Sequence, residues 1–166
     1  MMIRLESPAG STDIDVMLDT GKVEISQKPA SVVSTLDDLH RGKNVPQTWK
    51  LLIVGDGPER DNLYKQITHL GLENHIFLLG KKSKNDIVSI LAKSHAFILP
   101  SRGENFSVAI IEALSIGIPV VATDCGGTKE SINNSNGILV PVDDTSSMSE
   151  SLLYMFNLIL FLTLAY

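Results

Sequence analysis

Ala96-Phe97-Ile98-Leu99-Pro100-Ser101-Arg102-Gly103-Glu104-Asn105-Phe106-Ser107, running on through Val108 to Ile116 and Gly117-Ile118-Pro119-Val120-Val121-Ala122, decides the fold. Residues Ala96 to Leu99 are a short apolar run of strand length. A polar, glycine-bearing loop follows. From about Ser107 to Ile116 the pattern becomes helical and stops at Gly117, and a second apolar strand begins at Ile118. The same alternation extends outward in both directions. Upstream, Lys50 to Val54 is a strand ending in Gly55-Asp56-Gly57-Pro58. A helix follows with Leu63, Ile67 and Leu70 on one face, and Gly71 closes it as a C-cap. A strand over Ile76 to Leu79 and a helix carrying Ile87, Ile90 and Leu91 complete the upstream units. Downstream, Gly126-Gly127 turns into a short helix, and Ile138 to Val140 is a last short strand.

Strands alternating with helices imply β-α-β units, hence an α/β, Rossmann-like parallel sheet with helices on both faces. Right-handed crossovers place the loops after the strands on one edge, where such sheets bind ligands. That edge gathers Gly55-Asp56-Gly57, Gly80-Lys81, Pro100 to Phe106 and Thr123 to Lys129, the loops richest in glycine and polar residues.

Outside this region the signals are weaker. In the N-terminal segment, 1–45, Ile14, Val16 and Leu18 alternate with polar residues, and Asp19-Thr20-Gly21 leads to Val23 and Ile25. This predicts a hairpin. Ser31 to Arg41 reads as a short helix. The domain proper is 46–150, followed by an apolar tail, 151–166. A run this short suits a core helix better than a membrane span, which needs about 20 apolar residues. A shallow anchor or an interaction surface are the alternatives for the tail.

Composition narrows the partners. The chain has 166 residues and a formal net charge of −5, with no basic stretch longer than Lys81-Lys82. This excludes a nucleic-acid surface, which needs clustered Lys and Arg. Cys125 is the single cysteine, so no disulfide forms within the chain, and a cytoplasmic setting is expected. An anchoring tail would place the chain peripherally at the inner face of a membrane. No metal-ligand spacing is present. His40, His69 and His75 show no obvious partners, and His95 reads as packed or solvent-facing.

Two loops carry the chemistry. Glu104 lies in the loop before the helix, and Glu112 follows eight residues later, about two turns into it. A helix N-terminus offers unpaired amides and the positive end of a dipole, suited to phosphate. Carboxylates flanking such a site are placed to accept hydrogen bonds from sugar hydroxyls. The same spacing also suits a surface glutamate and a loop residue that favours the helix start. The Gly126-Gly127 pair before Lys129 lets the backbone approach an anion, or simply makes a turn. Gly55-Asp56-Gly57-Pro58 lacks the glycine spacing of a dinucleotide fingerprint.

Taken in order, these stretches resemble the C-terminal domain of the retaining GT-B enzymes called the glycosyl transferases group 1 family. The resemblance runs from Leu51 to Val54 with Gly55-Asp56-Gly57-Pro58-Glu59, through Leu70-Gly71-Leu72 and Ile76 to Gly80. It continues in Leu99-Pro100-Ser101, Glu104-Asn105-Phe106, Glu112-Ala113-Leu114, Gly117 to Thr123 with Gly126-Gly127, and Asn136-Gly137-Ile138-Leu139-Val140. It implies transfer of a sugar from a nucleoside-diphosphate donor with retention, and no metal or cofactor beyond the donor itself. Glu104 is then the catalytic candidate, touching the sugar hydroxyls, and Glu112 holds the ribose. Amides around Phe106 to Val108, with Asn105 and Ser107, hold the diphosphate, and Gly80 and Lys81 border the base. Gly55, Gly57, Arg102, Gly126 and Gly127 complete the implied donor site.

The sequence departs from the family pattern at its start. The glycine-bearing loop with an Arg and a Lys that normally follows the first strand has no match before Trp49. The acceptor-binding domain has no match either, and the apolar tail stands where the last helices would fold back. An isolated chain of this kind is expected to be inactive, requiring an acceptor-binding domain or a second chain. The alternatives are a non-catalytic nucleotide-sugar-binding or interaction module and, less well matched, a nucleotide-sugar epimerase of similar architecture.

Overall fold

The computed structural model describes residues 4–5, 14–19 and 49–164. In chain order the elements are β1 (Arg4–Leu5), β2 (Ile14–Asp19), β3 (Lys50–Gly55), α1 (Arg60–His69), β4 (Ile76–Gly80) and α2 (Lys84–Leu91). After these come β5 (Ala96–Leu99), α3 (Val108–Ser115), β6 (Val120–Thr123), α4 (Thr128–Ser131), β7 (Gly137–Val140) and α5 (Thr145–Leu164). The sheet order is β4-β3-β2-β5-β6-β7, with β1 also on β2. Strands β3 to β7 share one direction, while β2 runs antiparallel to both β3 and β5. The expected α/β Rossmann-like architecture is therefore present, around a reversed central strand.

Burial explains the strand sequences. β5 and β6 are buried at every position, so they read as unbroken apolar runs rather than alternating ones. Phe97, Ile98, Leu99 and Leu51 are fully enclosed and form the centre of the core with Leu72 and Leu91. On α3, Ala109, Ile110 and Ala113 face the sheet, and the two alanines let the helix lie close to it. At α2, Ser83 and Asp86 form a reciprocal capping box.

Some expected features moved. β6 starts at Val120 rather than Ile118, because Ile118 N–H bonds back to Ala113 in the closing turn of α3. Pro119 has no N–H for the ladder, although its carbonyl accepts from Phe97 N–H at 2.9 Å. β2 forms where the alternation of Ile14, Val16 and Leu18 places it. Its partners, however, are β1, β3 and β5; the hairpin strand at Val23 and Ile25 and the helix at 31–41 lie outside the described residues. His75 does have a partner: its ring stacks on Trp49 with centroids 4.5 Å apart, and Nδ1 lies 3.0 Å from the Trp49 carbonyl.

Residues 151–164 of the apolar tail belong to α5, which starts at Thr145 and runs without a break through residue 151. Met148, Leu152 and Met155 belong to the core, and the helix packs on β6 and β7. Among the described residues, no helix is long and apolar enough to cross a membrane.

Candidate functional site

The strand register gathers the polar loops. Val54 pairs with Gly80, Leu99 with Ala122, and Thr123 with Val140, so the exits of β3 to β7 lie along one edge. Gly55, Gly57, Gly80, Lys81 and the Glu104 loop all lie there. The exit of β2 does not. Asp19 pairs with Lys50 at the start of β3, so the central strand leaves the sheet at the opposite edge.

The centre of the site is the loop from β5 to α3. Ser107 is the N-cap of α3: its Oγ accepts Ile110 N–H at 3.4 Å, and its carbonyl accepts Ile111 N–H at 3.3 Å. The amides of Val108 and Ala109 are left as first-turn donors that intrahelical bonding does not satisfy. Phe106 and Val108 are exposed beside them, whereas Glu104 and Ser107 are buried. Glu112 is partly exposed on the second turn, and among the described residues its carboxylate forms no ion pair. One helix start thus carries a first-turn amide at the exposed Val108, with a buried carboxylate before it and a partly exposed one after it, while Ala109 is buried against the sheet.

The Glu104 loop rests on the turn after β6. Gly127 N–H donates to the Glu104 carbonyl at 2.8 Å. A Cβ on Gly126 would collide with the Glu104 carbonyl, and one on Gly127 with the Asn105 carbonyl. The glycine pair therefore lets two backbone segments meet, and Gly127 has its amide engaged in that contact. Thr123 Oγ1 donates to the Ser101 carbonyl, and Cys125 Sγ to the same carbonyl at 3.2 Å. Thr128 Oγ1 accepts Cys125 N–H at 3.1 Å and lies 2.8 Å from the Thr123 carbonyl. Burial pushes the Cys125 thiol above its ordinary range, and the nearby Glu104 charge adds to that shift.

Arg102 has an internal use that its sequence position does not reveal. Nε donates to Asp143 Oδ1 at 2.8 Å, and Nη2 lies 2.7 Å from the same oxygen, tying the β5 exit to the β7–α5 loop. Its charge is thus shared with Asp143. Lys129 lies 3.9 Å from Asp124, and both are exposed. Arg60, missed in the sequence reading, lies at the β4 exit, where Nη2 donates to the Leu78 carbonyl at 3.3 Å. Among the described residues, no cluster of three His, Cys, Asp or Glu side chains could hold a metal ion.

The fold and this edge define a class: one Rossmann-like half of a GT-B architecture, with its ligand edge at the strand exits. The chain belongs to the glycosyl transferases group 1 family, whose model matches residues 21–158. It is 34% identical over 102 residues to N-acetyl-alpha-D-glucosaminyl L-malate synthase of Bacillus anthracis, covering 61% of this chain and 26% of that protein. It is 36% identical over 103 residues to the UDP-Gal:alpha-D-GlcNAc-diphosphoundecaprenol alpha-1,3-galactosyltransferase of Escherichia coli, again covering 61% and 26%. Its fold matches a S. aureus TarM variant crystallised with fondaparinux, alpha-GlcNAc-glycerol and UDP. That match has a TM-score of 0.66 and 22% identity, over 81% of this chain and 27% of TarM. The chain spans about a quarter of the length of these proteins.

Proposed function

We propose that this chain is the donor-binding half of a glycosyltransferase that moves a sugar from a nucleoside-diphosphate sugar to an acceptor, with retention of anomeric configuration. The observation that carries this reading is the start of α3. The first-turn amide of the exposed Val108, which intrahelical bonding does not satisfy, lies there between Glu104 and Glu112, on the edge where strand exits collect. The diphosphate sits on that helix start, Glu112 receives the ribose hydroxyls, and Glu104 the sugar hydroxyls. As the glycosidic bond breaks, negative charge grows on the leaving diphosphate, and fixed amide dipoles aimed at it lower the barrier. The E. coli relative, whose name specifies a UDP-Gal donor, supports a uridine nucleotide. An acceptor-binding half, on the same polypeptide or on a second one, completes the enzyme.

One observation favours a second reading, a module that binds nucleotide sugar without turning it over. The family resemblance calls for an Arg- and Lys-bearing loop after the first strand. Here β2 occupies the centre of the sheet in reverse, and its exit at Asp19 lies away from the site. A basic loop leaving that end would not reach the diphosphate.

Calorimetric titration of the chain with UDP, GDP, ADP and UDP-glucose tests the shared donor site. One nucleotide should bind, and Glu112→Ala should weaken it by about 1–3 kcal/mol, the usual loss for a charged hydrogen-bond partner. If none binds, both readings fall. Release of free sugar from the bound donor would favour the enzyme over the module.

A further inference from the structure

β4 does not run straight to its end. Ile53 pairs with Leu78 and Val54 with Gly80, so Leu79 is an extra residue, a bulge one step before the exit. Gly80 then takes φ +67, turning the chain at the donor edge. A bulge takes its residue out of the ladder and redirects the strand, and bulges gather beside active sites for that reason. Among the described residues β4 is also the last strand of the sheet, with no strand paired on its other side.

Arg60, the first residue of α1, supplies that constraint. Nη2 donates to the Leu78 carbonyl on one side of the bulge. On the other side, Nη1 lies 3.6 Å from where a Cβ on Gly80 would stand. The planar guanidinium thus bonds the chain before Leu79 and stands beside the space a side chain at Gly80 would fill, and a rigid donor fork selects a single geometry better than a flexible ammonium does. Among the described residues, the ion pairs Arg102–Asp143 and Lys129–Asp124 do not involve Arg60.

We propose that Arg60 is a positioning residue for the base end of the donor site. It fixes the bulge and, through it, the Gly80-Lys81 exit that borders the nucleobase. This rests on the donor-site reading above. It assigns to α1 a share in choosing between bases, a task that the loop after β4 cannot do with a mobile backbone.

The test titrates the full chain, Arg60→Met and Arg60→Lys with UDP, GDP and ADP. Melting temperatures and amide hydrogen exchange at residues 78–82 are measured alongside. In Arg60→Met the affinity ratio between the best- and worst-bound nucleotide should shrink about tenfold, the effect of one charge-assisted hydrogen bond. Exchange at Gly80 and Lys81 should quicken, the melting temperature should stay close to wild type, and Arg60→Lys should recover part of the ratio. An unchanged ratio, or an equal loss for all three nucleotides, overturns the role of Arg60 while leaving the donor site intact. Collapse of the fold in both variants also overturns it, since Arg60 would then be structural. A wild-type chain that binds no nucleotide overturns the donor-site reading and the base-end role together.

Discussion

The carbonyls of Glu104 and Asn105 point at Gly126 and Gly127 from so close that neither glycine has room for a Cβ. Gly126 also takes φ +51, which L side chains avoid. Gly103, in the same Glu104 loop, has nothing within 4 Å of its Cβ position. Gly126→Ala should therefore cost about 1–3 kcal/mol of stability, as overpacking does, measured by urea unfolding. Gly103→Ala should stay within about 0.5 kcal/mol, as is usual for an open surface site. Equal losses at both would mean that the two loops do not meet. Cys125, in the same turn, makes a pH prediction. Its folded pKa is raised by burial, so the stability it contributes is fully present below the unfolded thiol pKa, about 8.5, and is lost as the pH rises past it. Melting temperature should fall above that pH in the wild type and fall less in Cys125→Ala. A thiol reagent at neutral pH should label the chain only after unfolding, and rapid native labelling would count against a buried thiol.

Individual elements were legible to different degrees. α1, α2, α3 and β5 follow from apolar spacing and terminators, because each buries one stripe or one short run whose pattern is local. The bulge at Leu79, the Arg60 contact across 18 residues and the Arg102–Asp143 tie across 41 left no trace in the sequence reading. Such contacts depend on which loops the sheet brings together, and periodicity does not encode that. The two glutamates were legible as a spacing, but their different burial was not, since it depends on how the Glu104 loop settles on the glycine pair. The capping box of α2 gives the prediction at this scale. Hydrogen bonds from the Ser83 side chain and backbone hold the Asp86 carboxyl below its ordinary range. A depressed carboxyl contributes stability that is present above the unfolded value, about 3.9, and lost as the pH falls through the folded one. Asp86→Asn should flatten the acid limb of the melting profile and leave its alkaline limb unchanged. Identical acid limbs in mutant and wild type would remove the box as a stabiliser.

At the scale of the molecule, α5 is where two of the tail's readings, core helix and membrane anchor, lead to different experiments. Its inward positions, Met148, Leu152 and Met155, close the core over β6 and β7, while Tyr154 is 63% exposed on the same turns. β6 leads into the glycine turn on which the Glu104 loop rests, so the helix that covers these strands also supports the donor edge from behind. Leu152→Ala should cost about 2–5 kcal/mol, the range for emptying a buried leucine site, and should weaken nucleotide binding with it. Tyr154→Ala should leave stability within about 0.5 kcal/mol and binding unchanged. A membrane anchor would give the reverse order: the exposed aromatic would control association with lipid vesicles, and the leucine would matter little to unfolding. Urea denaturation of both variants, followed by vesicle flotation of the wild type, separates the two. If the leucine variant is as stable as wild type, α5 is not part of the core, and the sheet must be closed by something else.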